Sequence, residues 1–217
     1  MKVFSVNVGR PLEHEWRGQR VNTSIFKSPV EGPVAVGKLN LEGDAQADLA
    51  VHGGLDKAVY AYPHEHYLYW RAQLPDYALA LGNFGENLTL EGASEEAIHI
   101  GDQLQIGTAL FTVTQPRSPC YKLGVRFNRE DMTRRFYDSR RFGFYLRVLR
   151  EGTLQAGAGL TVVSQDPNGV SVADVIRLFT GDSHDPALLG RALKVSTLPE
   201  GWRRTLRERV EGHRGRE

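Results

Sequence analysis

Short alternating runs of apolar and polar residues dominate the chain up to about residue 165. Lys2 to Val8 alternates strictly enough to predict an edge or barrel strand. Further strands are predicted over 32–36, 58–62, 87–90, 100–106, 110–114, 143–149 and 160–163, and helices over 64–73, begun at Pro63, and around 132–137. Many short strands separated by glycine turns are typical of a β-barrel or a strongly curved sheet.

The pattern changes after Pro167, where apolar residues recur at helical spacing in three sets. Ser171 is placed to cap the first helix, and Pro186 and Pro199 stand at the start of the other two. Helices of about ten residues are only marginally stable in isolation. These three must therefore pack on each other, on the sheet domain or on a second subunit. The last alternative makes a homodimer possible. The last residues, 212–217, are expected to form a frayed polar tail.

These patterns predict a mainly β fold with helices, of the α+β class. The expected organisation is a β-barrel domain over 1–166 followed by a three-helix domain over 167–217. With 41% hydrophobic and 24% charged residues in 217, the chain can build a packed core. The net charge of +1 lacks the basic excess of a nucleic-acid-binding protein, so no nucleic-acid partner is expected.

The N-terminal segment and the longest apolar stretches indicate where in the cell the protein is expected. Residues 2–8 alternate and stop at Gly9, whereas a secretory signal needs a continuous apolar run and a small-residue cleavage site. No window approaches the length of a transmembrane helix. The expectation is therefore a cytoplasmic protein without a membrane partner.

The chain has one cysteine, Cys120, which excludes an internal disulfide and any site built from several cysteines. A soft metal bound here would have at most one protein thiolate. Its other ligands would have to come from elsewhere, for instance from a sulfur-bearing organic molecule.

Four segments combine glycine or proline with polar residues: 43–48, 52–59, 82–88 and 115–122. In the last of these, two prolines stiffen a turn and Cys120 follows, with Arg117 and Lys122 nearby. Cationic neighbours favour the thiolate, which is the form that ligates metals. The alternative from local sequence is a buried, inert cysteine.

The segments around His52 and Asn87 each allow two interpretations. The amides of Gly53 and Gly54 can form an anion-binding concavity with Lys57 beside it, or a simple turn feeding the next strand. Asn87 can recognise the edge of a heterocycle, or serve as a turn residue before a strand. His64 and His66, two apart, do not have the spacing of a helical metal pair and are expected to be solvated.

Taken in order, the four segments resemble the MOSC domain, named for the C-terminal domain of molybdenum-cofactor sulfurases, and within that family the stand-alone YiiM-like branch. The matching motifs are Gly-Asp-x-Gln-x-Asp at 43–48, His-Gly-Gly-x-x-Lys-Ala-Val at 52–59, Gly-Glu-Asn-Leu at 85–88 and Pro-Arg-x-Pro-Cys-x-Lys at 116–122. The three helices after residue 170 resemble the small C-terminal domain of this branch.

The resemblance implies a β-barrel in which Cys120 ligates molybdenum beside the dithiolene of a molybdopterin cofactor, as both the metal-binding and the catalytic residue. It also implies a set of cofactor-binding residues. These are His52, Lys57, Asn87 and Arg117, together with Lys122 and Arg126 as weaker candidates.

The resemblance further implies an oxidoreductase that reduces N-hydroxylated compounds, such as N-hydroxylaminopurines or related N-oxygenated small molecules. No flavin or nicotinamide motif is visible, so electrons would come from a separate, flavoprotein-type reductase. One alternative is a molybdenum cofactor carrier or sulfur-transfer module that uses a Cys120 persulfide. Another is a binding domain without metal.

Overall fold

The structure, a computed structural model, describes residues 1–47 and 53–214. The strands in this part of the chain are β1 (Lys2–Val8), β2 (Leu12–Trp16), β3 (Gln19–Thr23), β4 (Ser28–Val30), β5 (Val34–Val36), β6 (Val59–Pro63), β7 (Leu88–Glu91), β8 (Gln103–Ile106), β9 (Ala109–Pro116), β10 (Phe144–Arg150), β11 (Gly152–Leu154) and β12 (Leu160–Ser164). The helices are α1 (His66–Gln73), α2 (Lys122–Phe127), α3 (Met132–Ser139), α4 (Val172–Thr180), α5 (Pro186–Lys194) and α6 (Glu200–Arg214).

Eight strands form one curled sheet in the order β12-β8-β9-β10-β6-β7-β1-β4. The pair β6–β7 is parallel, and the other neighbours in this sheet are antiparallel. The sheet bends until β1 reaches the start of β12, where the Val3 amide donates to Ala158 O (2.9 Å) and the Leu160 amide donates to Met1 O (3.0 Å). The result is an incompletely closed barrel, which confirms the predicted mainly β fold with a helical C-terminal part.

The β2–β3 hairpin is absent from the sequence-based prediction. It forms a separate two-stranded sheet, turned by Arg17 and Gly18, both at positive φ (56° and 72°). Strand β2 reads Leu-Glu-His-Glu-Trp and buries none of its residues fully, so it lacks the alternation that marked the other strands. Residues just after β3 nevertheless form one wall of the site described below.

A row of aromatic rings fills the space between the sheet and the helices and continues into the C-terminal domain. Phe84 stacks on Tyr62 with centroids 4.8 Å apart. The row then passes through Phe84–Phe136 (6.0 Å), Phe136–Phe142 (5.6 Å), Phe142–Phe179 (6.4 Å) and Phe179–Trp202 (5.0 Å). Because interiors are close-packed, such a row couples the position of Trp202 on α6 to the barrel core.

The C-terminal helices begin where the sequence predicted. Ser171 caps α4, forming a reciprocal capping box with Asp174, and Asp185 caps α5 ahead of Pro186. The expectation of a frayed tail from residue 212 is wrong for 212–214, which belong to α6. Residues 215–217 lie outside the described part.

Two local expectations on the barrel side are also wrong. Helix α1 begins at His66, not at Pro63, because Pro63 is still paired with Leu90 in the parallel β6–β7 ladder. His66 is not solvated: its Nε2 lies 2.8 Å from an oxygen of the buried Glu95. Across residues 1–47 and 53–214, no helix combines the length and apolarity needed to cross a bilayer.

Arg140 and Asp182 form an ion pair between the end of α3 and the end of α4, with Arg140 Nη2 2.8 Å from Asp182 Oδ1. Because Arg140 donates to the carboxylate, it holds the pKa of Asp182 below its ordinary value of 3.8. The folded state therefore binds fewer protons at this site than the unfolded chain. The stability gained is complete well above pH 3.8 and is lost as the pH falls through the lowered pKa.

We therefore expect Asp182→Asn to lower the free energy of unfolding at neutral pH by about 0.5 kcal/mol, a small figure because the pair is partly exposed. The difference should disappear as the pH falls below the lowered pKa, which urea titrations across the acid range will measure. Asp76→Asn, at an exposed position after α1, is the control. A difference between wild type and Asp182→Asn that grows in acid contradicts this account.

Candidate functional site

A cleft of about 600 Å³, open to solvent, lies where the segments after β3, after β5 and after β9 meet the start of β6. Its walls come from segments that are far apart in sequence. The lining residues are Thr23, Ser24, Ile25, Lys27, Asp44, Ala45, Gln46, Ala47, Lys57, Tyr60, Gly85, Asn87, Arg117, Cys120, Lys122 and Tyr145.

Cys120 lies in the turn between β9 and α2, and its side chain is partly exposed in the cleft. The Leu123 amide donates to the Cys120 carbonyl (3.0 Å), as does the Thr133 hydroxyl (3.3 Å), so both α2 and α3 hold the turn. The expectation of an inert, buried thiol does not describe this position. The thiol is accessible at one wall of a polar cleft.

Lys57 ends a 3-10 turn, Leu55–Lys57, directly before β6. The turn is entered through Gly54, whose φ of 96° is a conformation that glycine adopts at little cost. Arg147 Nε donates to Asp56 (2.7 Å), and the Thr114 hydroxyl donates to the Asp56 carbonyl (2.7 Å). The turn is thus anchored to β9 and β10, which fixes Lys57 at the cleft; burial lowers the pKa of Lys57, and Asp56 opposes this.

Asp44 carries a buried network behind the cleft. Its carboxylate accepts from the Gly9 amide (2.8 Å), from the Asn87 side-chain amide (2.8 Å) and from the Lys27 ammonium. Lys27 and Asp44 are 9% and 8% exposed, so this ion pair is largely out of water. Burial lowers the pKa of Lys27, while Asp44 raises it.

Asn87 is buried in the cleft wall with its amide mostly engaged inside the protein. Its Nδ2 donates to Asp44 and to Asn7 O (3.3 Å), and its Oδ1 accepts from the Tyr60 amide (3.1 Å). Both amide hydrogens are used, which leaves one lone pair on Oδ1 for a ligand. In this geometry Asn87 mainly positions Asp44 and joins β6 to β7.

Arg117 and Ser24 have polar atoms without partners. Arg117 is 6% exposed, and its guanidinium lies over the rings of Tyr60 (4.9 Å) and Phe136 (5.2 Å). Among the described residues, its Nη1 and the buried Ser24 Oγ have no hydrogen-bond partner. Buried donors without acceptors are costly, and both residues line the cleft. They mark a position where a bound anion or polar ligand would be stabilised.

The phenols of Tyr60 and Tyr145 line the same cleft. Burial raises the pKa of both hydroxyls above the ordinary value of 10, although Arg117 opposes the shift. Both therefore stay protonated at neutral pH and act as hydrogen-bond donors rather than as bases; Tyr60 donates to Phe142 O (2.8 Å). The cleft offers cations and neutral donors.

The structure brings most of the predicted site residues together. The members that line the cleft are Lys57, Asn87, Arg117, Cys120 and Lys122. Arg126 does not: its Nη1 donates to the Tyr77 hydroxyl (2.7 Å) and its guanidinium lies over Phe26 (5.0 Å). His52 lies outside the described residues.

Sequence reasoning missed Ser24, Lys27, Tyr60 and Tyr145. Ser24 and Lys27 lie in the irregular segment after β3 and carry no motif. Tyr60 and Tyr145 were assigned to strands, and alternation alone does not tell which face of a strand borders a cleft. Asp44 belongs to a recognised motif, but its pairing with Lys27 depends on tertiary contact.

Comparison with known families gives two matches. The family model described as MOSC domain matches residues 48–161. The model described as YiiM-like, 3-alpha helix domain matches residues 170–213. The first covers the three segments that supply Lys57, Asn87 and Cys120, and the second covers the C-terminal helices.

Individual relatives agree with this. The chain is 40% identical over 201 residues to the uncharacterized protein YflK of Bacillus subtilis, covering 93% of this chain and 90% of that one. It is 33% identical over 180 residues to a protein named Reductase from Gibberella moniliformis, covering 82% of this chain and 32% of the relative. The crystal structure of YiiM from Geobacillus stearothermophilus superposes with a TM-score of 0.79 at 34% identity, covering 96% and 98% of the two chains.

The buried Lys27–Asp44 pair generates a prediction about stability. Lys27→Met leaves the Asp44 carboxylate buried without its counter-ion, so we expect the free energy of unfolding to fall by about 3 kcal/mol. Arg20→Met, which removes the exposed Arg20–Glu13 pair, should cost at most about 0.5 kcal/mol. Urea denaturation at neutral pH measures both. A Lys27→Met cost no larger than that of Arg20→Met would show that the pair does not anchor the cleft.

Proposed function

The chain belongs to the MOSC domain family, in its YiiM-like branch, and on that basis we propose that it binds a molybdenum–pterin cofactor through Cys120 and reduces N-hydroxylated compounds. One observation carries the proposal. The accessible thiol of Cys120 shares a cleft with Arg117, whose buried Nη1 lacks a partner among the described residues. A soft sulfur ligand beside an unsatisfied cation suits a metal held by an anionic organic ligand.

The residues of the cleft fit such a cofactor. A pterin with a dithiolene and a phosphate is anionic and rich in hydrogen-bonding groups. Lys57, Arg117 and Lys122 supply positive charge, and Ser24 supplies a hydroxyl that has no hydrogen-bond partner in the part of the chain that the structure describes. Cys120 would ligate the metal. Asn87 would act mainly by positioning Asp44, because only one lone pair on its Oδ1 is left to contact the cofactor directly. Arg126, turned to Tyr77, would not contact it.

The reaction is a two-electron reduction in which R–NHOH, two electrons and two protons give R–NH₂ and water. When bound, the molybdenum cofactor supplies the redox chemistry. The residues of the cleft would bind and orient: the cations would hold the cofactor, and protonated Tyr145 would be a neutral donor beside it, whereas the Tyr60 hydroxyl already donates to Phe142 O. Electrons would come from a separate flavoprotein-type reductase.

The relatives support the class of reaction only in general terms. One relative is named Reductase, and this chain spans 32% of its length, so that protein has room for further domains. A chain of this kind could be joined to its electron donor in one protein and separate from it in another. The match favours the reductase over the carrier alternative.

Cys120→Ala tests the proposal. In protein made in a cofactor-competent host, we expect the variant to lose at least about tenfold in molybdenum content by elemental mass spectrometry, since the thiolate is the protein's sulfur ligand. Reduction of an N-hydroxylaminopurine with an artificial electron donor should fall in parallel. The side chain is small and partly exposed, so the melting temperature should change little.

Cys120→Ser is the matched variant, because it keeps the size and polarity of the side chain but not its soft sulfur, and it should behave like Cys120→Ala. Full molybdenum content and full turnover in both variants would refute the mechanism. Wild-type protein that holds molybdenum and pterin but shows no turnover would favour the carrier or persulfide alternative instead.

A further inference from the structure

Beside the cleft lies a second depression, which we call the Trp202 groove. It runs between the Cys120 turn and the first turn of α6, with a volume of about 780 Å³ including its solvent-open part. Its lining residues are Lys57, Gln115, Pro116, Ser118, Pro119, Cys120, Tyr121, Tyr145 and Trp202. Lys57, Cys120 and Tyr145 line both the groove and the cleft, so Cys120 is approached from two sides.

The two sides differ in charge. The cleft is lined by Arg117, Lys122 and the Lys27–Asp44 pair as well as by Lys57. In the groove, Lys57 is the one charged residue among the described lining residues. An anionic cofactor is therefore attracted to the cleft, and the groove is left for a neutral molecule.

Proline and aromatic side chains supply five of the nine described lining residues of the groove. Pro119 and the exposed ring of Tyr121 form one side, and Trp202 from the helical domain forms the other. Apolar clefts with aromatic walls and few polar groups are the usual binding sites of small organic molecules. Aromatic and proline side chains beside a single charged residue suit a planar ring rather than an extended charged chain.

Gln115 supplies a polar group with which the groove can hydrogen-bond a ligand. It lies near the end of β9 and is 2% exposed, and among the described residues its Nε2 has no hydrogen-bond partner. It lines the Trp202 groove and also the neighbouring space under Gly53 and Pro199. A buried donor without an acceptor costs free energy, and this Nε2 can donate to a ring nitrogen or carbonyl oxygen of a ligand.

Trp202 is held in place from behind. Its amide donates to Pro199 O (2.9 Å), and its ring lies 5.0 Å from Phe179 at the end of the aromatic row. The residue is 9% exposed, so a small part of it borders the groove while the rest is packed in the protein. The helical domain therefore fixes this wall before any ligand arrives.

We propose that the Trp202 groove binds the planar ring of the substrate, with Trp202 and Gln115 as specificity-determining residues and the N–OH group directed toward Cys120. This rests on the proposed function, which it deepens by making the three-helix domain part of the substrate site. The substrate class it selects is an aromatic or heteroaromatic N-hydroxylated amine with a ring acceptor, in preference to small hydroxylamines.

The test compares a ring-bearing N-hydroxylaminopurine with hydroxylamine itself, using holoenzyme and an artificial electron donor. For Trp202→Ala we expect the KM of the ring-bearing substrate to rise about tenfold with little change in kcat, because the ring loses a wall of its site. The kcat/KM for hydroxylamine should stay within about twofold, because hydroxylamine has no ring to bind. Gln115→Leu should raise the same KM without lowering the melting temperature, since the buried Nε2 donor that it removes has no hydrogen-bond partner among the described residues.

Leu206→Ala is the matched control. It truncates a fully buried side chain on the same helix that does not line the groove. It should lower the melting temperature while leaving the ratio of the two kcat/KM values unchanged. If Trp202→Ala affects both substrates equally, or shifts their ratio no more than Leu206→Ala, the proposal is overturned.

A binding measurement separates this proposal from the proposed function. Calorimetry with the aminopurine product requires no turnover, and we expect Trp202→Ala to weaken binding about tenfold. Binding that depends on Trp202 in a protein without reductase activity would support the groove and refute the proposed function. Turnover of both substrates with no effect of Trp202→Ala would support the proposed function and refute the role of the groove. A wild-type protein that neither binds the product nor discriminates between the substrates also overturns the proposal.

Discussion

The buried carboxylate of Asp44 is the interaction on which the architecture of the cleft depends. It joins the backbone at Gly9, the ammonium of Lys27 and the amide of Asn87, and so connects three segments that are separate in sequence. A buried charge is tolerated only when it is paired and hydrogen-bonded, and here two of the partners, Lys27 and Asn87, also line the cleft. The network has both a structural and a functional consequence.

The hydrogen-bonding state of the buried polar groups distinguishes residues that support the structure from residues that are available to bind a ligand. Asp44 and Asn87 use nearly all of their hydrogen-bonding capacity inside the protein. Arg117 and Gln115 do not, and each retains a buried nitrogen without a partner among the described residues. Fully satisfied groups make the cleft rigid, and unsatisfied groups mark where a ligand completes the network. The two unsatisfied groups line different pockets that share Cys120, Arg117 in the cationic cleft and Gln115 in the Trp202 groove.

The aromatic row explains why a small helical domain can take part in such a site. Three short helices would be marginal alone, yet Phe179 and Trp202 continue the stacked core of the barrel into α4 and α6. The capping box at Ser171 and the Arg140–Asp182 ion pair also stabilise the contact between the barrel domain and the C-terminal helices. The position of the groove wall is therefore set jointly by the helical domain and by the barrel core against which it packs.

Local patterns alone determined most strands of the barrel, the cap at Ser171 and the segment that carries Cys120, because alternation, capping and turn chemistry act over a few residues. The resemblance to a known family singled out Lys57 and Arg117, and the structure places both at the cleft. The tertiary structure alone decided that Lys27 pairs with Asp44 and that Trp202 stands beside Cys120. Those pairings join residues 17 and 82 positions apart along the chain, and they form only because the sheet curls and the helices dock upon it. No periodicity in the sequence records contacts at that distance, since they arise from the path of the whole chain rather than from neighbouring residues.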